Sequence, residues 1–225
     1  MGHAVRLAAE DARRQLEELA RSVGFSDQAA WQPRDLFRRK YGMQAGNIIG
    51  VGTFIPEYRS PDPETGQSDN VTPFWMVGGT GVEIEVDVET GHFRVLRMIN
   101  AADLGNPLNP RIVETQLSGA AMMQLGFTMF EEMRLDAGQV TNASLADYKI
   151  PGIQDLPQTI ENEIVVAHQK NGPFGAKGVG ESATFGVSPA IANALFDAVG
   201  IRLTDLPMTP EAVFMAMRAK EGSAE

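Results

Sequence analysis

The stretch from Val82 to Ile99 constrains this chain more than any other. Val82, Ile84, Val86 and Val88 alternate with Glu83, Glu85, Asp87 and Glu89. Successive strand side chains point to opposite faces, so a period of two describes a strand with one apolar and one wet face. Glu89-Thr90-Gly91-His92 predicts a turn, and Phe93 to Ile99 returns. The pattern is an antiparallel hairpin wet on one side. An isolated hairpin is marginal in water, so its apolar face needs a second layer.

Helices can supply that layer. Asn109 followed by Pro110 predicts a capped helix start, with the helix running to about Glu132. Ser188-Pro189 and Thr209-Pro210-Glu211 open two more in the same way, the first with Ile191, Leu195, Phe196 and Val199 inward. At the other end of the chain, Val5, Ala8, Ala12, Leu16, Leu19, Ala20 and Val23 recur at helical spacing. Gln28 to Met43 is polar and mixed, with a short helix expected from Pro33 to Lys40. Further strands are expected at Asn47–Phe54 and Ile160–Ala167. Ser60–Asn70 reads as a loop and Asp136-Ala137-Gly138 as a turn. The segment from Thr141 to Pro157 is irregular, broken by Pro151 and Pro157. Strands mix with helices without a βαβ rhythm. This predicts an α+β fold of mixed or antiparallel sheets packed with helices.

Composition narrows the function. The net charge of -10 would repel phosphate backbones, which argues against nucleic acid as a partner. With no cysteine, the chain carries no disulfide, thiol nucleophile or cysteine-ligated iron–sulfur cluster. His3, His92 and His168 are far apart and show no metal-ligand spacing. No metal ligand is assigned to the chain, whereas a metal carried by an organic cofactor needs few protein ligands. The opening residues lack an apolar signal region, and no apolar run approaches membrane-span length. We expect a cytoplasmic protein.

The chemistry-bearing residues are ambiguous one by one. Gly172, Gly175, Gly178 and Gly180 surround Lys177 and Glu181. Glycines expose main-chain N–H groups to a ligand, but a surface loop with solvated Lys and Glu is the ordinary reading. A glutamate works best as a base when buried beside a reactive group, and the sequence does not show burial. Gln116 lies on the Pro110 helix near Ser118, Gly119, Ala120 and Ala121. Its amide can both donate to and accept from a polar ligand, yet a solvent-facing glutamine is commoner. Gln124 is expected on roughly the same face, and Met122, Met123 and Met129 as core fillers. Small residues at 118–121 can admit a ligand or pack against another helix. Gly78–Glu83 and Gly50–Gly52 adjoin strand signals without opening a helix, so they read as turns or bulges.

Taken in order, however, several segments resemble one family. They are NAADLGNPLNP, QLSGAAMMQLGFTMFEE, DYKIPGIQDLP, GAKGVGES and LTDLPMTPEAV. They resemble the Asp-x-Gly, Gln-x-x-Gly-Ala, Tyr-x-x-Pro, Gly-Val-Gly-Glu and Leu-Pro-x-Thr-Pro-Glu motifs of the molybdopterin-binding large subunit of xanthine dehydrogenases, aldehyde oxidases and related hydroxylases. The resemblance implies an oxidoreductase that hydroxylates an N-heterocycle, aromatic compound or aldehyde with oxygen from water. By this resemblance Glu181 matches the base that activates a molybdenum-bound hydroxide. Gln116, Gly178, Val179 and Gly180 match cofactor contacts, and Lys177 a commonly basic position. The cofactor implied is a molybdenum–molybdopterin, with the cytosine dinucleotide form as one option and the metal held by the pterin dithiolene. Iron–sulfur clusters and FAD would sit on partner chains.

The resemblance also sets the expected organisation. Residues 1–225 form a C-terminal molybdopterin-binding domain. Within it, 1–75 is a partial N-terminal portion with a shortened loop, and 76–225 carries the cofactor and base motifs. The first residues resemble a stretch that lies deep inside the large subunit. The N-terminal half of that subunit is therefore expected as a separate chain, alongside iron–sulfur and flavin subunits and a small-molecule substrate. A non-catalytic remnant or assembly scaffold of the same fold is the alternative.

Overall fold

A computed structural model describes residues 1–25, 31–44 and 46–222. The start of the polar stretch, Gln28 to Ala30, and the last residues of the tail lie outside the described residues. The chain divides into two compact units: residues 1–74 with 170–175, and residues 75–169 with 176–225.

The first unit is built on α1 (Gly2–Ser22), followed by α2 (Pro33–Tyr41). Helix α1 carries Arg6–Glu10, Arg13–Glu17 and Arg14–Glu18 pairs one turn apart on its wet side. Ala20 is its one buried residue, and Val5, expected inward, is exposed.

The strand expected at Asn47–Phe54 does not form. The segment lies along α1 instead of along another strand. The Val51 N–H donates to Asp11 Oδ2 (3.0 Å), and Gln15 Nε2 donates to the Ile49 carbonyl (2.9 Å). Backbone groups that a sheet would have paired are thus paired by helix side chains. These bonds, Val51 first and then Arg14 and Gln15, also lower the Asp11 pKa.

Gly50 and Gly52 explain why this is possible. A Cβ on Gly50 would sit 2.0 Å from the Ala8 carbonyl oxygen, and one on Gly52 2.2 Å from that of Ala4. The Gly50–Gly52 glycines therefore serve close approach to a helix, not a turn or bulge.

The second unit holds a three-stranded sheet of order β1-β2-β5. Strands β1 (Gly78–Val86) and β2 (Phe93–Asp103) form the antiparallel hairpin. Gly78–Glu83, expected as a turn or bulge, belongs to β1, and the register shift comes at its end, between Glu83 and Ile84. Asp87 closes the turn by accepting from the Glu89 N–H (2.9 Å) and the Thr90 hydroxyl (2.9 Å). Val88 falls in this turn and is exposed, outside the alternation.

Glu83 faces Arg97 and Ile84 faces Val95, so Leu96 is an extra residue on β2. A single extra residue flips the side-chain phase of its strand. Accordingly Phe93 and Val95 are buried before it, and Met98, Asn100 and Ala102 after it.

Helix α3 (Pro110–Met129) follows, with the Asn109 side chain accepting from the Ile112 N–H as expected. The Asp136-Ala137-Gly138 turn joins two short strands, β3 (Leu135–Asp136) and β4 (Gln139–Val140). A single turn, α4 (Leu145–Tyr148), precedes β5 (Thr159–Val165), which pairs parallel to β2. Helices α5 (Val187–Val199) and α6 (Pro210–Gly222) complete the unit. Helix α5 packs on β1, and α3 packs on β5 and α5. Phe93, Met98, Leu117, Leu125, Val187, Ile191, Leu195 and Val213 fill the space between.

Two expectations for α5 change. Its N-cap is Gly186, because the Ser188 hydroxyl turns inward to Gln124 Nε2 (2.7 Å) and Thr128 Oγ1 (2.7 Å). Phe196 is half exposed, with the Arg202 guanidinium 4.4 Å from its ring centre. No described helix is long and apolar enough to cross a membrane.

The Gly52 contact is with α1 main chain, which cannot swing aside. Gly52→Ala should therefore destabilise the first unit by about 1–3 kcal/mol. Amide exchange should rise in α1 while β2 stays protected. Unchanged exchange in α1 would show that the close approach is dispensable.

Candidate functional site

The loop expected to carry the chemistry leaves the core at Ala176, which bridges to Gly105. Gly105 adopts φ 64°, a left-handed turn that lets the chain reverse just after β2. The Lys177 N–H donates to the Leu104 carbonyl (2.9 Å). Its ammonium donates to Asp103 Oδ2 (2.7 Å) and to the Trp75 carbonyl (3.0 Å). Only 9% of the Lys177 side chain and 20% of that of Asp103 is exposed. The Asp-x-Gly turn and the Gly-Val-Gly-Glu loop are therefore one structure, tied by an ion pair largely withdrawn from water.

Beyond Lys177, Gly178 and Gly180 are exposed while Val179 packs against the core. A Cβ on Gly180 would meet nothing within 4 Å, so the main chain there is open to an approaching group. Glu181 is exposed; its carbonyl accepts from the Thr184 N–H (3.2 Å) and hydroxyl (3.0 Å). The next residues, Ser182 and Ala183, are buried. Ser182 Oγ has no hydrogen-bond partner among the described residues, and a buried hydroxyl usually finds one.

Gln116 lies on the exposed side of α3, and no hydrogen bond links it to the loop among the described residues. Gln124 does not share its face. Eight residues at 3.6 per turn leave the two about 80° apart. That turn carries Gln124 into α5, where it meets Ser188. The small-residue stretch splits in the same way: Ala120 and Ala121 enter the core. Ser118 and Gly119 instead line an open groove of ≈ 680 Å³ with Glu114, Thr115, Leu156 and Asn162. Of the methionines, Met122 and Met129 pack against the core and Met123 is exposed.

Behind this groove, the sheet presents a polar rung. Thr80, Asn100 and Asn162 stand opposite one another on β1, β2 and β5. The Thr80 hydroxyl donates to Asn100 Oδ1 (3.2 Å), and Asn100 Nδ2 to Asn162 Oδ1 (3.2 Å). Asn162 Nδ2 then donates to Ser118 Oγ (2.7 Å) on α3. Sequence reading missed this rung and the Asp103–Lys177 pair. Both join residues far apart in sequence, and pairing at such separations leaves no local signal.

The residues present suit an organic group that brings its own metal ligands. Open main chain at Gly180, the exposed Gln116 amide and the unpartnered Ser182 hydroxyl offer polar contacts, and Gly119 leaves room beside α3. Among the described residues no group of three or more His, Cys, Asp or Glu could hold a metal ion.

The Lys177 ammonium, and after it the Gly105 N–H, hold the Asp103 carboxyl below the usual carboxylate range, against the opposing effect of burial. A lowered folded pKa stabilises the fold above the unfolded value of about 3.9 and loses that contribution as pH falls through the folded one. Stability should therefore fall less steeply below about pH 5 in Asp103→Asn than in the natural chain. Urea midpoints across that range provide the check. Asp11, Asp62, Asp87 and Glu161, also lowered, contribute equally to both proteins. Parallel acid limbs would mean that the pair adds nothing.

Comparison with known proteins gives the family. A family model described as the molybdopterin cofactor-binding domain matches residues 1–157. The probable hypoxanthine oxidase XdhD of Escherichia coli (strain K12) is 33% identical over 178 residues, which is 78% of this chain and 17% of that protein. The aldehyde oxidoreductase molybdenum-binding subunit PaoC of the same strain is 38% identical over 136 residues, 58% of this chain and 18% of that subunit. Among solved structures, the aldehyde oxidoreductase from Desulfovibrio desulfuricans ATCC 27774 superposes with a TM-score of 0.75 at 28% identity, covering 96% of this chain and 22% of that one. The chain thus spans about a fifth of the length of these relatives. It belongs to the molybdopterin cofactor-binding domain family, as a partial match to the molybdenum-binding subunits of xanthine dehydrogenase and aldehyde oxidoreductase type.

Proposed function

We propose that the chain forms the base-bearing part of a molybdopterin-dependent hydroxylase. Residues 76–225 would carry the cofactor and base motifs, and 1–75 an adjoining partial portion. The observation that carries this reading is the loop from Gly178 to Glu181. It is an exposed main-chain cradle ending in an exposed carboxylate, rooted by Lys177 on one side and by buried Ser182 and Ala183 on the other.

Gly178, Val179 and Gly180 would offer main chain to the cofactor, and Gln116 its amide. When bound, the cofactor supplies the redox metal that accepts two electrons from the substrate carbon. Glu181 takes up a proton at its carboxylate as oxygen derived from water is transferred. The substrate is an N-heterocycle, an aromatic compound or an aldehyde. Such a base works in a site closed to bulk water. Exposed Glu181 therefore needs cover, which the N-terminal half of the large subunit would supply as a separate polypeptide. Iron–sulfur and flavin subunits would then carry the electrons away. The cytosine dinucleotide form of the pterin is compatible with this scheme.

The exposure of both Glu181 and Gln116 also favours a second reading, a non-catalytic scaffold of the same fold. Molybdenum content separates the two. The chain co-produced with the N-terminal half and its partner subunits should retain molybdenum. Glu181→Gln should leave that content unchanged while lowering turnover by about 10²–10⁴-fold. Persistent absence of metal would establish the scaffold. Loss of metal in Glu181→Gln would make the residue a cofactor holder, not a base.

A further inference from the structure

We infer that Lys177 is the positioning residue of the Gly178–Glu181 loop, acting through Asp103 and the Trp75 carbonyl. The inference rests on the reading of Glu181 as the base only for its consequence in catalysis. The clamp itself is read from geometry.

The loop has few other restraints. Gly178 and Gly180 are exposed and make no hydrogen bond among the described residues. The Val179 side chain is the loop's one anchor into the core between Lys177 and Ser182. Glycine backbone is also the costliest to order, because it has the most conformations to lose. Position must therefore be imposed from the ends. At the downstream end, the Thr184 N–H and hydroxyl reach back to the Glu181 carbonyl, a contact within one turn. Long-range restraint comes from the upstream end, where the Ala176–Gly105 bridge and the Lys177 N–H hold the main chain and the Lys177 side chain reaches 74 residues back to Asp103 and 102 back to Trp75.

Lys177 gathers three pieces of chain. Trp75 leads into β1, and the Asp103 N–H donates to the Val77 carbonyl (2.8 Å), which keeps that lead-in beside the end of β2. Asp103 ends β2 and also accepts from the Gly105 N–H (3.1 Å), which shapes the Asp-x-Gly turn. A hydrogen bond to a charged group is stronger than a neutral one, and stronger again out of water. With 9% of its side chain exposed, Lys177 satisfies both conditions. A compact ammonium on a flexible stem fits this narrow place better than a planar guanidinium. The pair thus holds the start of the loop fixed relative to the sheet, and Glu181 is four residues along from it.

Backbone dynamics of the full chain test the clamp. In the natural protein the amides of Gly178, Gly180 and Glu181 should show order parameters near about 0.85. In Lys177→Met they should fall below about 0.6, while α3 and α5 stay rigid. Exchange at the amides of residues 177 and 105 should rise roughly tenfold to a hundredfold. Asp103→Asn should act in the same direction, and the double variant should loosen the loop no more than Lys177→Met alone. Additive loosening, an unmoved loop, or loosening spread evenly through α3 and α5 would overturn the inference. Should Lys177→Met fail to fold, Asp103→Asn, which keeps the side-chain volume, decides alone on the same measurements.

In the cofactor-loaded complex, Lys177→Met should lower kcat by about 10²-fold with molybdenum content unchanged. A loosened loop with undiminished turnover would leave Lys177 as the positioning residue and remove Glu181 from the reaction.

Discussion

The glycine loop of the second unit is tied to the sheet by an ion pair between Lys177 and Asp103. Taking an ammonium and a carboxylate out of water costs several kcal/mol each, and their attraction offsets this only with good geometry and further hydrogen bonds. Those bonds are present: Lys177 also donates to Trp75, and Asp103 also accepts from Gly105. A hydrophobic pair of equal volume could pack as well, but it would not set direction. The ammonium must point at two oxygens, and the carboxylate must face two N–H-bearing groups. That requirement brings the entry to β1, the exit from β2 and the start of the glycine loop to one point.

The sheet supplies the rigid body to which that point is attached. Its central strand changes phase at Leu96, so its buried face is continuous although its sequence alternation is not. The rung of Thr80, Asn100 and Asn162 crosses the sheet in register and ends on Ser118 of α3. A buried amide left unpaired costs about 1–3 kcal/mol. A slip of β1 by one residue would set Gly79 or Gly81 opposite Asn100 and take the donor from its Oδ1. The rung therefore opposes register slips that apolar neighbours would tolerate. It also fixes α3, and with it Gln116, relative to the strand that carries Asp103.

Much of this was legible in the chain itself. The hairpin, the Asn109 cap and the α6 start follow from local chemistry, so they appear where the residues place them. The failures have local causes too. Asn47–Phe54 has strand composition, but Gly50 and Gly52 let it lie on α1, and the partner it chose is invisible in its own sequence. Ser188 looks like a cap until a neighbouring helix offers its hydroxyl Gln124 and Thr128. Gln116 and Gln124 look like neighbours on one face, but the 80° left by eight residues at 3.6 per turn puts one in water and one against α5. The ion pair spans 74 residues, and only the fold reveals it.

The residues proposed for the site sort by the same logic. Where a residue supports the loop, it is withdrawn from water: Lys177 and Asp103 are partly buried and paired with each other, and Ala183 is buried. Where it would meet a ligand, it is exposed: Gln116, Gly178, Gly180, Glu181. Glycine main chain and a carboxylate in water are ordinary for a surface loop; what distinguishes this one is the ion pair at its start. Anchoring a loop costs entropy, which the ion pair and its hydrogen bonds offset, and a loop so held is ready for a group that arrives later. A support of this kind is expected where a cofactor and a covering polypeptide close over it, because preorganisation then lowers the cost of both associations. If Glu181 acts as the proposed base, its exposure and the partial burial of Lys177 are one feature: the first would serve only because of the second.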